Sequence, residues 1–211
     1  MKTILKGFEP ASLTLHRLSP HASYANYSEK QELRESLVSE QRALCCYCLS
    51  RIKPQPESMK VAHWHPQSTH PGEQLVYKNL LGACLGNEGQ PRRSQHCDTF
   101  QADRDLSKNP AEPSHRVESL TRYQSDGTIT SNDTQFDSEL NDVLNLNMPF
   151  LKNNRKAVVD GLKDAIQKRG SFSKSMLEGK LREWNGEGHA GPLEPFCQVV
   201  VYWLRKRLRR P

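Results

Sequence analysis

The chain lacks any apolar run able to cross a bilayer: its longest, Val199 to Leu204, falls far short of the roughly 20 residues required. The first residues also lack the roughly 7 to 15 apolar positions of a secretion signal, because Lys6 and Glu9 interrupt them. These two absences predict a soluble, cytoplasmic protein with no membrane partner, in which Asn26-Tyr27-Ser28 carries no weight as a glycosylation acceptor. Hydrophobic residues make up only 35% of the 211 positions, lean for a self-supporting core, so a metal staple or a partner protein is expected. There are no internal repeats and no long low-complexity tract.

Positive charge is present in moderate excess, 30 Lys and Arg against 24 acids, and much of it sits in the closing run Leu204-Arg205-Lys206-Arg207-Leu208-Arg209-Arg210-Pro211. Arg205 and Arg207 in this run, with Arg92 and Arg93 upstream, are candidate nucleic-acid phosphate contacts that would make binding salt-dependent. Lys152, Arg155 and Lys156 are further candidates. The competing reading is a solvated outer face on a last helix whose inner face carries Val200, Val201 and Leu204. Trp184, Trp203 and Phe150 fall at helical positions and read as core or partner interface.

Periodicity and punctuation give an α+β chain in three parts: an N-terminal extension (1–27), a metal-stapled core (28–113) and a mainly helical C-terminal region (114–211). Ser28 with Gln31 reads as a capping box opening a helix over 28–44 with the stripe Leu33, Leu37, Val38, Leu44. Pro54 and Pro56 mark a turn, Met59 to Trp64 a strand, Pro66 to Gln74 a polar loop, and Asn79 the start of a short helical segment. Gly86 to Gln95 reads as a surface loop and Cys97 to Leu106 as a helix. Asp126-Gly127 predicts a turn joining two short strands. Asp133 or Thr134 would cap a helix through Leu144, Pro149 would open one running to about Arg169, and Ser173 and Pro195 would open two more.

Six cysteines in a reducing compartment read as metal ligands rather than disulfides. Cys45 and Cys48 place two thiolates on one tight turn, and Cys84 with Cys97 complete a tetrahedral set for structural zinc. Cys46 or His96 is an alternative member, buried free cysteines are the competing reading, and Cys197 among Phe196 and Val199 to Val201 reads as core. His63 on a strand, followed by Trp64 and Pro66, has the chemistry of a general base that activates water. Asn79 and Asp98 fall after it.

The segments Cys45-Cys46-Tyr47-Cys48, Ala62-His63-Trp64-His65-Pro66-Gln67-Ser68, Tyr77-Lys78-Asn79-Leu80-Leu81-Gly82-Ala83-Cys84 and His96-Cys97-Asp98 resemble the HNH endonucleases with a ββα-metal core. With Asp105-Leu106-Ser107-Lys108-Asn109-Pro110 and the helical tail, the chain resembles more narrowly the PtuB subunits of Septu anti-phage systems and their retron-associated relatives. The resemblance implies a zinc-stapled nuclease core with His63 as general base and Asn79 as the residue that orients it or supports the metal. It implies a catalytic Mg²⁺ or Mn²⁺ held by Asp98 and by a carboxylate at position 62. It also implies cleavage of DNA or RNA, a PtuA-type ATPase partner and, in retron versions, a reverse transcriptase with its RNA–DNA hybrid. Ala62 departs from the pattern, since a methyl group cannot coordinate magnesium, and reads as an inactivating substitution. The alternative is a non-catalytic zinc-containing subunit for nucleic-acid binding or assembly.

Overall fold

The apolar stripe Leu33 and Leu37, spaced by one helical turn, forms a helix that lies against a two-stranded hairpin in the computed structural model, which describes residues 1–168 and 173–209. A first short helix, Ala11–Arg17 (α1), precedes it; the striped helix spans Lys30–Glu40 (α2). The hairpin pairs Met59–His63 (β1) antiparallel with Leu80–Cys84 (β2), Met59 opposite Cys84 and His63 opposite Leu80. A single-turn helix, Cys97–Gln101 (α3), packs on both strands.

Because strand side chains alternate, Met59, Val61 and His63 share one face of β1 while Lys60 and Ala62 share the other. Gly82, opposite Val61, shows what covers the first face: an added Cβ there would meet Gln41 and Ile52 at 3.1 Å. The second face belongs to α3, since Lys60 Nζ lies 3.3 Å from Thr99 Oγ1 and Gln101 Nε2 donates to Trp64 O at 3.0 Å.

The long helix expected over 28–44 is shorter at both ends. Ser28 Oγ donates to the neighbouring Glu29 carboxylate rather than capping, and the helix begins at Lys30. It stops at Glu40 because Arg42 and Ala43 take left-handed φ values of 53° and 61°, turning the chain into the cysteine turn. Gln41 fixes this exit: its Nε2 donates to Leu44 O at 2.8 Å and Gly82 O at 2.7 Å, and its Oε1 accepts Gly82 N–H at 2.6 Å. Asn79 ends a 3-10 turn, Tyr77–Asn79, and a strand follows it, not a helix. The helix expected from Cys97 to Leu106 ends at Gln101, where Ala102 adopts a φ of 52°.

Further on, Val117–Leu120 (α4) leads into a second hairpin of Thr121–Tyr123 (β3) and Ile129–Ser131 (β4), turned at Asp126-Gly127 as expected. Thr134–Asp142 (α5) is capped by Asp133, whose side chain accepts Phe136 N–H. Pro149–Lys168 (α6), Lys174–Asn185 (α7, capped by Ser173) and Cys197–Leu208 (α8) complete the described chain. The expected helix end at Arg169 and the last basic residue, Arg210, lie outside the described residues. No described helix is long and apolar enough to cross a membrane.

The main apolar cluster runs through all three expected segments, from Met1 and Ile4, through Cys45, Ile52 and Leu81, to Phe136, Leu162, Val200 and Leu204. The α7–α8 connection is tied directly to the cysteine turn. The Arg42 guanidinium donates to the carbonyls of Gly186, His189 and Gly191, Arg51 donates to Leu193 O at 2.6 Å, and Phe196 N–H donates to Leu49 O at 2.9 Å. Leu44, Leu49, Leu193 and Cys197 close over this seam as a small cluster of their own.

Candidate functional site

Cys45, Cys48, Cys84 and Cys97 are all buried, and their four sulfurs lie within 4.8 Å of one another. Cys45 and Cys97 Sγ are 3.9 Å apart, and Cys48 and Cys84 Sγ 3.7 Å apart. A tetrahedron with Zn–S bonds of about 2.3 Å has edges of about 3.8 Å, so the sulfurs stand close to where a zinc ion would hold them. Backbone bonds shape the turn: Cys45 N–H to Ser50 O at 2.9 Å, Cys46 N–H to Gly82 O at 3.0 Å, and Ser50 N–H to Cys48 Sγ at 3.4 Å. Burial and the neighbouring sulfurs push the Cys97 thiol well up, while hydrogen bonds from the other sulfurs hold the Cys45 thiol well down despite its burial, as expected of thiols packed closely enough to share one charge centre. The four cysteines can therefore hold a structural metal such as zinc.

Cys46 stays outside the set, buried beside it, with its thiol pushed up by that burial. His96 does not replace a cysteine but flanks two of them, with Nδ1 at 3.2 Å from Cys97 Sγ and 3.9 Å from Cys84 Sγ, where an N–H would support thiolate charge. Cys197 is core, as its sequence surroundings imply.

His63, 8% exposed, ends β1. Its Nε2 lies 3.1 Å from Gln74 O, an atom that can only accept, so Nε2 carries the proton; Nδ1 then accepts from the Gln67 amide at 3.3 Å. Burial holds the imidazole below the usual histidine range, opposed by the bond to Gln74. The ring meets Tyr24 edge-on at 4.7 Å. His63 is thus a neutral base with Nδ1 as its acceptor.

Asn79 ends the 3-10 turn just before β2, and its side chain bonds to backbone rather than to the imidazole. Its amide is fully engaged with backbone: Oδ1 accepts His65 N–H at 2.8 Å, and Nδ2 donates to His65 O at 3.0 Å and Glu73 O at 3.2 Å. Asn79 O also accepts Trp64 N–H at 3.0 Å. The residue therefore fixes the chain just beyond His63.

Asp98 and Ala62 lie on the other face. Asp98 Oδ2 is 3.8 Å from Lys60 Nζ, and its carboxyl is pushed up to about 6 by burial, with Lys60 opposing. Ala62 is wholly buried between Lys60 and the end of β1. Position 62 and Asp98 thus share the α3 face, whereas His63 points to the opposite face of β1. For a hard cation such as Mg²⁺ this chain does not supply a fitting site: Ala62 has no oxygen, the Asn79 amide is occupied, and Asp98 already faces an ammonium group.

Several residues that build this region escaped the sequence reading. Gln101, fully buried, joins Tyr47 OH at 3.0 Å, Trp64 O and Arg104 O, so α3 locks the cysteine turn to the end of β1. Only its helical spacing from Cys97 could have hinted at this. The supposed polar loop 66–74 supplies Gln67 and Gln74 to His63, and it also brings His70 and Glu73 to His65.

The candidate phosphate contacts divide. Arg92 donates to Thr99 O and Phe100 O and lies 4.1 Å over the Phe100 ring, which engages it at the end of α3. Arg93 is exposed. Arg155 is 3% exposed and donates to Gly127 O at 2.6 Å and Leu146 O at 2.7 Å, so it braces the β3–β4 turn instead of facing solvent. Lys152 and Lys156 pair with Asp126 and Asp160. Arg205, Lys206 and Arg209 line one cleft of about 790 Å³ with Arg116 and Arg122, and Arg207 lines a neighbouring one with Tyr202 and Trp203. Trp184 packs partly buried against the core, and Phe150 is 56% exposed.

Compared with models of known protein families the chain matches none, and no curated protein matches it.

Proposed function

We propose that the chain is an HNH-type endonuclease subunit of an anti-phage defence complex, impaired as it stands by Ala62. The observation that carries this reading is the local order: an antiparallel hairpin, then a helix across it, stapled by four cysteines, with a neutral histidine at the end of the first strand and position 62 facing the helix that bears Asp98. His63 would take the proton from water at Nδ1, Asn79 acts as a positioning residue through the backbone of His65, and Asp98 offers one carboxylate. A second carboxylate at position 62 would stand on the face of Asp98 and complete the oxygen donors that the chain now lacks. The partners of such a cytoplasmic subunit would be DNA or RNA, a PtuA-type ATPase and, in a retron version, a reverse transcriptase with its RNA–DNA hybrid.

The test is cleavage of plasmid, single-stranded DNA and transfer RNA in Mg²⁺ or Mn²⁺, with and without the ATPase partner, by this chain, by Ala62→Glu, and by Ala62→Glu carrying His63→Ala. Cleavage that appears with the glutamate and disappears with the second change supports the nuclease reading. A silent Ala62→Glu variant under every condition removes it.

A non-catalytic nucleic-acid-binding subunit is the second reading, favoured by the arginine-lined cleft beside α8. It requires binding that weakens steeply with salt and a shallower salt slope in Arg205→Glu/Arg209→Glu.

A further inference from the structure

His65, His70 and Glu73 each place a ligand atom within 4.8 Å of the others, in the loop between β1 and β2 and apart from the cysteine set. His65 Nδ1 is 2.8 Å from Glu73 Oε2, and the two imidazoles stack with centroids 4.2 Å apart. We propose that these three residues form a second metal site, taking a divalent transition-metal ion of the zinc class with solvent filling its remaining positions.

The donor set decides the class of ion. Two imidazole nitrogens and one carboxylate oxygen favour zinc, nickel, cobalt or copper over magnesium or calcium, which take oxygen donors. Side chains 25%, 31% and 43% exposed leave the open side of the site to water. Tetrahedral Zn–N bonds of about 2.0 Å need donors about 3.3 Å apart with the ion in both ring planes, so the partly exposed His70 ring has to swing out of its stack on His65 as the ion binds.

The surroundings hold the donors in advance. Asn79 clamps both backbone groups of His65 and the carbonyl of Glu73, and Glu73 N–H donates to His70 O at 2.9 Å. His70 N–H donates to Pro66 O at 2.8 Å, which closes the loop. Asp105 Oδ1 accepts from His70 Nε2 at 3.0 Å, leaving Nδ1 as the ring's ligand atom; a carboxylate in this place fixes the tautomer of a metal-bound histidine. Trp64 stacks on His65 at 3.8 Å and limits its rotation.

The experiment uses the full chain with its cysteine-bound metal in place, equilibrated with excess Zn²⁺, desalted and counted by mass spectrometry. About two zinc ions per chain are expected, falling to about one in His70→Ala and in Glu73→Gln, with the circular dichroism spectrum unchanged. Asp105→Asn should weaken the second ion by about 10-fold or more. Added Cu²⁺ should quench Trp64, an effect lost in Trp64→Phe and in His70→Ala. About one zinc in the unsubstituted chain, or a second zinc kept by both ligand variants, overturns the site. Neither readout depends on nuclease activity, so its failure and that of the functional reading are separable.

Discussion

Asn79 grips His65 by both sides of one residue's backbone, accepting its N–H at 2.8 Å and donating to its carbonyl at 3.0 Å. With a third bond to Glu73 O, one buried amide fixes the chain at the exit of β1 and at the far end of the loop.

Removing that amide leaves three backbone groups without their partner. Each buried hydrogen bond contributes about 1 kcal/mol, more when the orphaned group stays dry, so Asn79→Ala should lose roughly 2–4 kcal/mol in urea denaturation. Asn79→Asp should lose at least as much at neutral pH, because a carboxylate would face the two carbonyls that now accept from Nδ2. A loss within experimental error for both variants would remove Asn79 from this structural role.

Metal removal should unfold the cysteine turn. Structural zinc contributes folding free energy directly, and Cys48→Ser should lower the melting temperature by roughly 10 °C or more and reduce zinc bound at the cysteine set. Cys46→Ser, one residue from a ligand, should keep the metal. Metal analysis of the two proteins side by side checks the assignment; equal zinc loss in both would show that Cys46 takes part.

His63 should make stability fall in mild acid. Its folded-state pKa is depressed by burial, so the unfolded chain takes up the proton first. Its stabilising contribution is complete above the unfolded histidine value near 6.5 and is lost as pH falls from there toward the folded value. His63→Gln should flatten that part of the curve, measured as the urea midpoint from pH 7.5 to pH 5. An unchanged slope would mean that His63 is protonated alike in both states.

Much of the architecture is legible in local signals because the residues that make it act locally. The Asp133 and Ser173 caps, Pro149 at a first turn, and Asp126-Gly127 each determine backbone within a few positions, and the structure has each where the sequence places it. The four cysteines are legible because tetrahedral sulfur chemistry restricts which residues can serve. What the sequence hides is set across the chain. The end of α2 depends on Gln41 bonding to Gly82, and the run Leu80-Leu81-Gly82-Ala83-Cys84 becomes a strand because β1 lies beside it, although its glycine and apolar continuity give no strand period. The division of the candidate site also follows from strand alternation. Ala62 and His63 are neighbours in sequence and therefore point to opposite faces.

The Arg42 guanidinium joins the exit of α2 to the α7–α8 connection through the carbonyls of Gly186, His189 and Gly191. The metal-binding turn is thereby joined to a segment far along the chain, so loosening one removes hydrogen-bond partners from the other. A protease offered the metal-free protein should find the C-terminal helices opened together with the cysteine turn, in one step and without a resistant tail fragment. The basic side chains of α8 would then hold their present arrangement only in molecules that have acquired their metal.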